Sequence, residues 1–308
     1  MQDNMQMSTC DFAFRVPALT ESEMQNGLRC DVMDEAGNYH CYLPPSLQHR
    51  SAASPNSPPA GNFSAVKIEY GIAAQVVRRN LIVRRAFRQF NMSFSKTPAP
   101  PTCINDFPLE YLCHGRRVLR NKLFRRTGTV FVESREPTAF HFQRGNEKAI
   151  SWLPLSLRLT PDAPTSWLET TGVNALITWS LQISTFLTME KHSKHMVVSE
   201  ASESIDAARI VSVVETRRLK MVFSSWTQLR PHTSDDARPS WRSDSRVMFQ
   251  LSHSPMLAPT FWTPLVSRRY SIRLHIVLSG FGCSKLELVV PVQIVYDDED
   301  GSELEDTG

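Results

Sequence analysis

The chain has no apolar run near the ~20 residues that a membrane-spanning helix needs, which excludes a helical span. Met1 to Phe12 has no basic start followed by an apolar stretch, so a secretory signal is not expected and the expected location is cytoplasmic. Six cysteines (Cys10, Cys30, Cys41, Cys103, Cys113 and Cys283) form no CxxC pair and read as free, mostly half-buried thiols. Glycine is scarce, 12 residues against 20 prolines, which points to strand ends and stiff turns and not to flexible linkers. There is no long amphipathic helix and no internal repeat. GxSxG, HExxH, GxxxxGK[ST] and Cys/His pairs at zinc spacing are all missing, so no enzyme, cofactor or metal site is expected.

Two fragments of such motifs have plainer readings. Gly280-Phe281-Gly282 lacks the third glycine of a dinucleotide fingerprint and joins two strand-like runs, so it reads as a hairpin loop. His192 and His195 could share a metal on a helix. Their charged neighbourhood, Glu190 to Met196, offers no acidic or thiol partner at fixed spacing and reads as a solvated loop. The six tryptophans are scattered and read as core and rim residues, not as a stacking platform for bases.

What the chain does have is alternation of apolar and polar residues. In Tyr270 to Ser279, Tyr270, Ile272, Leu274, Ile276 and Leu278 alternate with more polar partners, and Leu286 to Val295 is β-branched and broken only by Pro291. This pair of runs reads as an antiparallel hairpin, with Pro291 at an edge or bulge. Further strands are expected at Cys10–Pro17, Phe63–Arg79, Ala139–Phe142, Ile150–Leu159, Val173–Leu187, Ala208–Phe223 and Arg246–Leu251. For Asn80–Phe90 periodicity does not decide between a strand and a helical turn. His192–Asp206 and Leu229–Ser245 read as exposed loops. The fold class is all-β, with a boundary near Gly145. Residues 1–145 form a first domain with a Ser/Pro loop at 48–62, residues 146–296 a second, and 297–308 an acidic tail.

Charge is uneven. Between Gly71 and Arg126 twelve lysines and arginines face two acids, a net +10, whereas 297–308 holds seven acids and no base. Eleven of the twelve basic residues form two groups: Arg78, Arg79, Arg84, Arg85 and Arg88, then Arg116, Arg117, Arg120, Lys122, Arg125 and Arg126. They are the candidate binding residues. Anionic lipid headgroups attract such groups by ~1 kcal/mol per charge, and phosphorylated tails of membrane proteins pair with arginine bidentately. Nucleic acid is not expected, since aromatics do not occur at a recognition-motif spacing. The alternative is a solvated surface with no specific partner. Arg268 and Arg269 are further candidates for a surface patch. The acidic tail either folds over the basic groups and masks them, or solubilises the chain.

Three segments in order, FAFRVP with YLPPSL, VKIEYGIAAQVVRR, and LAPTFWTPLVSRRYSIRLHIVLSG with LELVVPVQIVY, resemble the fungal arrestin-like proteins of the α-arrestin branch. The matching residues are Leu43 to Ser46; Tyr70, Ile72, Ala74, Val76 and Arg78; and Pro259, Thr260, Phe261, Ser267, Arg268, Tyr270, Pro291 and Val292. The resemblance implies two Ig-like β-sandwiches and no active site. It implies an adaptor that holds the cytoplasmic tails of membrane proteins and links them to a WW-domain ubiquitin ligase for endocytosis, working in the cytoplasm at the plasma membrane or endosomes. The family's opening strands have no counterpart before Phe12, so the first sandwich is expected to be incomplete. No Pro-Pro-x-Tyr or Pro-x-Tyr motif occurs. An inert β-sandwich scaffold without a ligase is therefore the alternative function.

Overall fold

The computed structural model describes residues 102–120, 125–143, 146–162, 172–189, 195–204, 206–229, 239–253, 257–263, 265–279 and 285–297. Before residue 102 it describes strand segments alone. The chain divides into two compact units, Met1–Leu43 and Pro44–Gly308. In the first, Leu19–Thr20 (β1), Val32–Met33 (β2) and Tyr39–Tyr42 (β3) form a small sheet in the order β1-β3-β2. The expected strand Cys10–Pro17 lies outside the described residues.

In the second unit, Leu47–Arg50 (β4) pairs with Ala65–Ile68 (β5), and Tyr70–Arg78 (β6) pairs with Leu81–Phe90 (β7). Gln48 to Arg50 of the expected loop are therefore strand. Phe63–Arg79, read as one strand, holds two strands in different sheets. Alternation continues through both, so periodicity could not reveal the change of partner. Asn80–Phe90 contains the strand β7, with a register shift opposite Val76 and Val77.

The remaining strands build a sandwich. They are His114–Arg120 (β8), Arg126–Ser134 (β9), Phe140–Gln143 (β10), Lys148–Pro161 (β11), Val173–Thr188 (β12), Ala207–Phe223 (β13), Thr227–Leu229 (β14), Ser240–Ser252 (β15), Phe261–Trp262 (β16), Val266–Leu278 (β17), Leu286–Val292 (β18) and Ile294–Asp297 (β19). One sheet runs β14-β15-β11-β9-β8. The other runs β13-β12-β17-β16, with β18 also on β17, and β10 pairs in parallel with β19. Both sheets are antiparallel and turn their apolar phase onto one core. Leu153, Leu155 and Leu157 of β11 share this core with Ile177, Trp179 and Leu181 of β12, with Tyr270, Ile272, Leu274 and Ile276 of β17, and with Leu288 and Val290 of β18. Each fully buried Leu or Ile contributes roughly 1.5–3 kcal/mol. Trp179 packs edge-on against Phe249 at 4.9 Å.

The β17–β18 hairpin has the expected register, Tyr270 opposite Val292 through Ile276 opposite Leu286. Its loop, Gly280 to Gly282, lies outside the described residues. Pro291 sits on β18, which pairs with β17 alone in the sheet, while Val289 bridges Leu112. An edge strand tolerates the missing donor. Residues 257–263 are pinned beside this hairpin. The Tyr270 and Tyr296 hydroxyls donate to the Ala258 and Leu257 carbonyls, and Ile294 N–H donates to Thr260 Oγ1 at 3.0 Å.

Pairing runs across the boundary expected near 145: β9 lies against β11 from Ser134–Leu155 to Gly128–Pro161. Both expected exposed loops also hold structure. Val198–Glu203 is a short helix (α1) that buries its Ala201, with Met196 buried just before it. Ser240 to Ser245 open β15, with Trp241 buried. Side-chain packing onto neighbouring strands selects these conformations, which the polar residues around them do not announce. Among the described residues no helix is long and apolar enough to cross a membrane.

Candidate interaction surface

The two basic groups stand on separate sheets. Arg84, Arg85 and Arg88 are exposed on β7, with Phe87 exposed among them. Arg78 ends β6, and nothing of its side chain is described; Arg79 and Lys122 lie outside the described residues. Arg116, Arg117 and Arg120 are exposed on β8, and Arg125 and Arg126 at the start of β9. Arg126 Nε pairs with Asp162 at 3.1 Å. Among the described residues no strand pairing joins the β6–β7 sheet to the sheet that carries β8.

Register extends the second group with arginines that sequence reasoning missed. Arg116 of β8 lies opposite Phe131 of β9, Phe131 opposite Arg158 of β11, and Arg158 opposite Arg242 of β15. Paired residues share a sheet face, and this one faces away from the core. The Arg158 guanidinium stands 4.9 Å from the Phe131 ring centre, which also stacks on His114 at 6.2 Å. Arg242 Nε donates to both Asp244 oxygens at 2.9 and 3.0 Å and its Nη2 lies 3.8 Å from Glu133. Burial raises the Asp244 carboxyl, but hydrogen bonds from Ser156 and Arg242 and the Arg242 charge outweigh it and hold the group below its ordinary value. Arg158 is the one arginine of β11, and Arg242 shares β15 with Arg246 alone. The signal that could have found them is the exposed phase of β11 and β15, not local charge density.

β8 is an edge strand, paired with β9 alone within its sheet. Ser134 N–H donates to the Cys113 carbonyl at 2.8 Å. By the alternation of an antiparallel ladder, the N–H and C=O of Arg116 and Val118 then point away from β9. An extended chain laid on that edge would meet backbone donors and acceptors between exposed guanidiniums.

A second charged centre is buried. Arg268 is 0% exposed in the core, its guanidinium 5.6 Å from the Tyr270 ring centre. Burial pushes the Tyr270 phenol up to about 12 against the opposing Arg268 charge and hydrogen bond. Arg269 points to the opposite face of β17, where residues 102–113 and 195–203 cover it. Its Nε and Nη2 donate to the two Glu110 oxygens at 3.0 and 2.7 Å, and Nη2 also to the Met196 carbonyl at 2.9 Å. Phe107 and Phe186 lie 4.5 and 4.0 Å from the guanidinium. Both arginines are therefore interior, which corrects their reading as a surface patch: the strand's polar phase is roofed. Leu109, at φ 66° and exposed, makes the turn that aims Glu110 inward. Arg209 lies 5.6 Å from Phe186 and donates to Ser184 Oγ at 3.0 Å. Burial and the Glu110 charge raise the Tyr111 phenol.

His195, expected in a solvated loop, rests its ring between Phe107 at 5.5 Å and Trp262 at 5.2 Å. Desolvation and then the Arg269 charge lower it to about 4, with Asp106 opposing. His192 lies outside the described residues. Cys113 is buried, its Sγ 3.8 Å from the Val289 carbonyl, and desolvation lifts the thiol to about 11. No protein-family model and no curated protein matches the sequence.

Proposed function

We propose that the protein is a non-enzymatic, arrestin-like adaptor in membrane-protein trafficking. In this reading it has two Ig-like β-sandwiches, the first incomplete, and works in the cytoplasm at the plasma membrane or endosomes. It holds acidic or phosphorylated cytoplasmic tails along the β8 edge. The observation that supports it is the outward-facing row beside that edge strand, in which the exposed Arg116 and Arg158 flank a half-buried Phe131. A tail in extended conformation adds a strand through backbone hydrogen bonds, while carboxylates or phosphates reach Arg116 and Arg117. Single exposed ion pairs contribute about 0.2–1 kcal/mol each, so the interaction depends on several together and weakens with salt.

Binding of a panel of phosphorylated and unphosphorylated tail peptides, followed by fluorescence anisotropy, tests this. Replacing Arg116, Arg117 and Arg158 together with glutamate should weaken phosphopeptide binding at least tenfold. If the wild-type chain takes no tail, or the triple variant binds as the wild type does, the reading fails. The missing Pro-Pro-x-Tyr and Pro-x-Tyr motifs favour a second reading, an inert β-sandwich scaffold without a ligase. Pulldown with a WW-domain ubiquitin ligase separates the two: capture supports the linked adaptor, and no capture supports the scaffold.

A further inference from the structure

The outer face of β11 and β15 carries an apolar patch of its own, some residues along from the arginine row. Trp152 lies directly opposite Met248, and Ile150 follows two residues along on the same phase. These three side chains are 51%, 50% and 53% exposed, whereas their neighbours Ala149, Leu153, Val247 and Phe249 are buried in the core. The sheet therefore presents them rigidly. Pro154 opposite Arg246 comes next in the ladder, and Arg135, Pro154 and Arg246 line one open depression, in which the acids Glu133 and Asp244 are both paired with Arg242. Arg135, Arg246 and, at the other end, Lys148 are exposed.

We propose that this face docks on an anionic lipid bilayer. An exposed indole beside two flexible or branched apolar side chains suits the interface between headgroups and acyl chains, where tryptophan places its apolar body and its N–H in different surroundings. The basic rim is the complement of anionic headgroups. The same rim disfavours a second copy of the chain, which would bring like charges together across the patch. Docking in this way lays Arg116, Phe131 and Arg158 at headgroup level, where membrane-protein tails emerge. That last consequence rests on the adaptor reading; the docking itself rests on Trp152, Met248, Ile150 and their basic rim.

The test is flotation of the full chain with phosphatidylcholine vesicles, with and without phosphatidylserine, together with quenching of tryptophan fluorescence by brominated lipid. The wild-type chain should float with the anionic vesicles. Trp152→Ser/Met248→Ser should bind at least tenfold more weakly and lose part of the quenching. Arg135→Glu/Arg246→Glu should lose the preference for phosphatidylserine, and Trp152→Phe should retain most of the binding. All four positions are exposed, so circular dichroism melts should match the wild type. Tail-peptide affinity in vesicle-free solution should not change in the Trp152/Met248 variant, which separates failure here from failure of the adaptor reading. The proposal is overturned if the wild-type chain ignores anionic vesicles or if the double serine variant floats unchanged. It is also overturned if the wild-type chain is a dimer that the serine variant converts to monomer, which would assign the face to a second copy.

Discussion

Removing Glu110 would leave the Arg269 guanidinium between Phe107 and Phe186 without its counter-charge. The side chains are 7% and 3% exposed, so water cannot substitute. Breaking such a buried pair from one side costs roughly 3–5 kcal/mol. Glu110→Leu alone should destabilise the chain by about that amount in urea denaturation. Glu110→Leu/Arg269→Met should cost much less than the sum of the single changes, because neither charge then remains buried; the main loss is the donor to the Met196 carbonyl, about 1–3 kcal/mol. Additive single effects would show that the two groups do not hold each other. What the pair fixes is the path of residues 102–113 across the outer face of β17, from Thr102, whose N–H donates to Glu136 at 2.5 Å, to Leu112, bonded to Val289. Positions 110 and 269 carry no motif that links them, and alternation says only that Arg269 leaves the core face. That the face is then covered depends on a strap 159 residues away.

Among the elements, those read well from the sequence are the ones whose partner is adjacent in the chain. In β17 and β18 period-two alternation, a Gly-rich connection and an edge proline all describe one hairpin, and local signals suffice. The β9–β11 pairing has no such signal. Both strands alternate, but nothing in the order of residues says that Val130 lies opposite Leu159. The boundary expected near 145 and the places of Arg158 and Arg242 in the basic row share that cause: each depends on register between strands. The candidate surface was legible as far as charge is clustered along the chain, which gives Arg116 and Arg117, and illegible where the sheet itself does the clustering. Gly128 is where this register is held most tightly. It pairs with Pro161 at φ +152°, and a Cβ there would stand 2.6 Å from the Thr160 carbonyl oxygen and 2.8 Å from Pro161 Cα. Gly128→Ala should lower stability by at least the ~1–3 kcal/mol that a strained backbone conformation costs. It should also speed amide exchange at Val130 and Leu159 more than in β17. An unchanged melting temperature would mean that the end of β9 is not held against Thr160.

At the scale of the whole molecule the chain divides its charge, +10 between Gly71 and Arg126 and seven acids after Tyr296. Asp297 ends β19, opposite Gln143, so the six acids from Asp298 onward can be removed without shortening a strand. If they mask the basic face, deleting 298–308 should tighten binding to phosphatidylserine vesicles and to phosphorylated tail peptides at low salt. The gain should shrink as added salt brings the screening length to roughly 10 Å and below. A solubilising tail gives a different pattern: unchanged affinity at every salt concentration, with more aggregation at high protein concentration. The two patterns differ in sign and in salt dependence. Titration of the full-length and shortened chains against the same vesicles therefore decides whether the basic face is regulated from within the chain or left open to its partners.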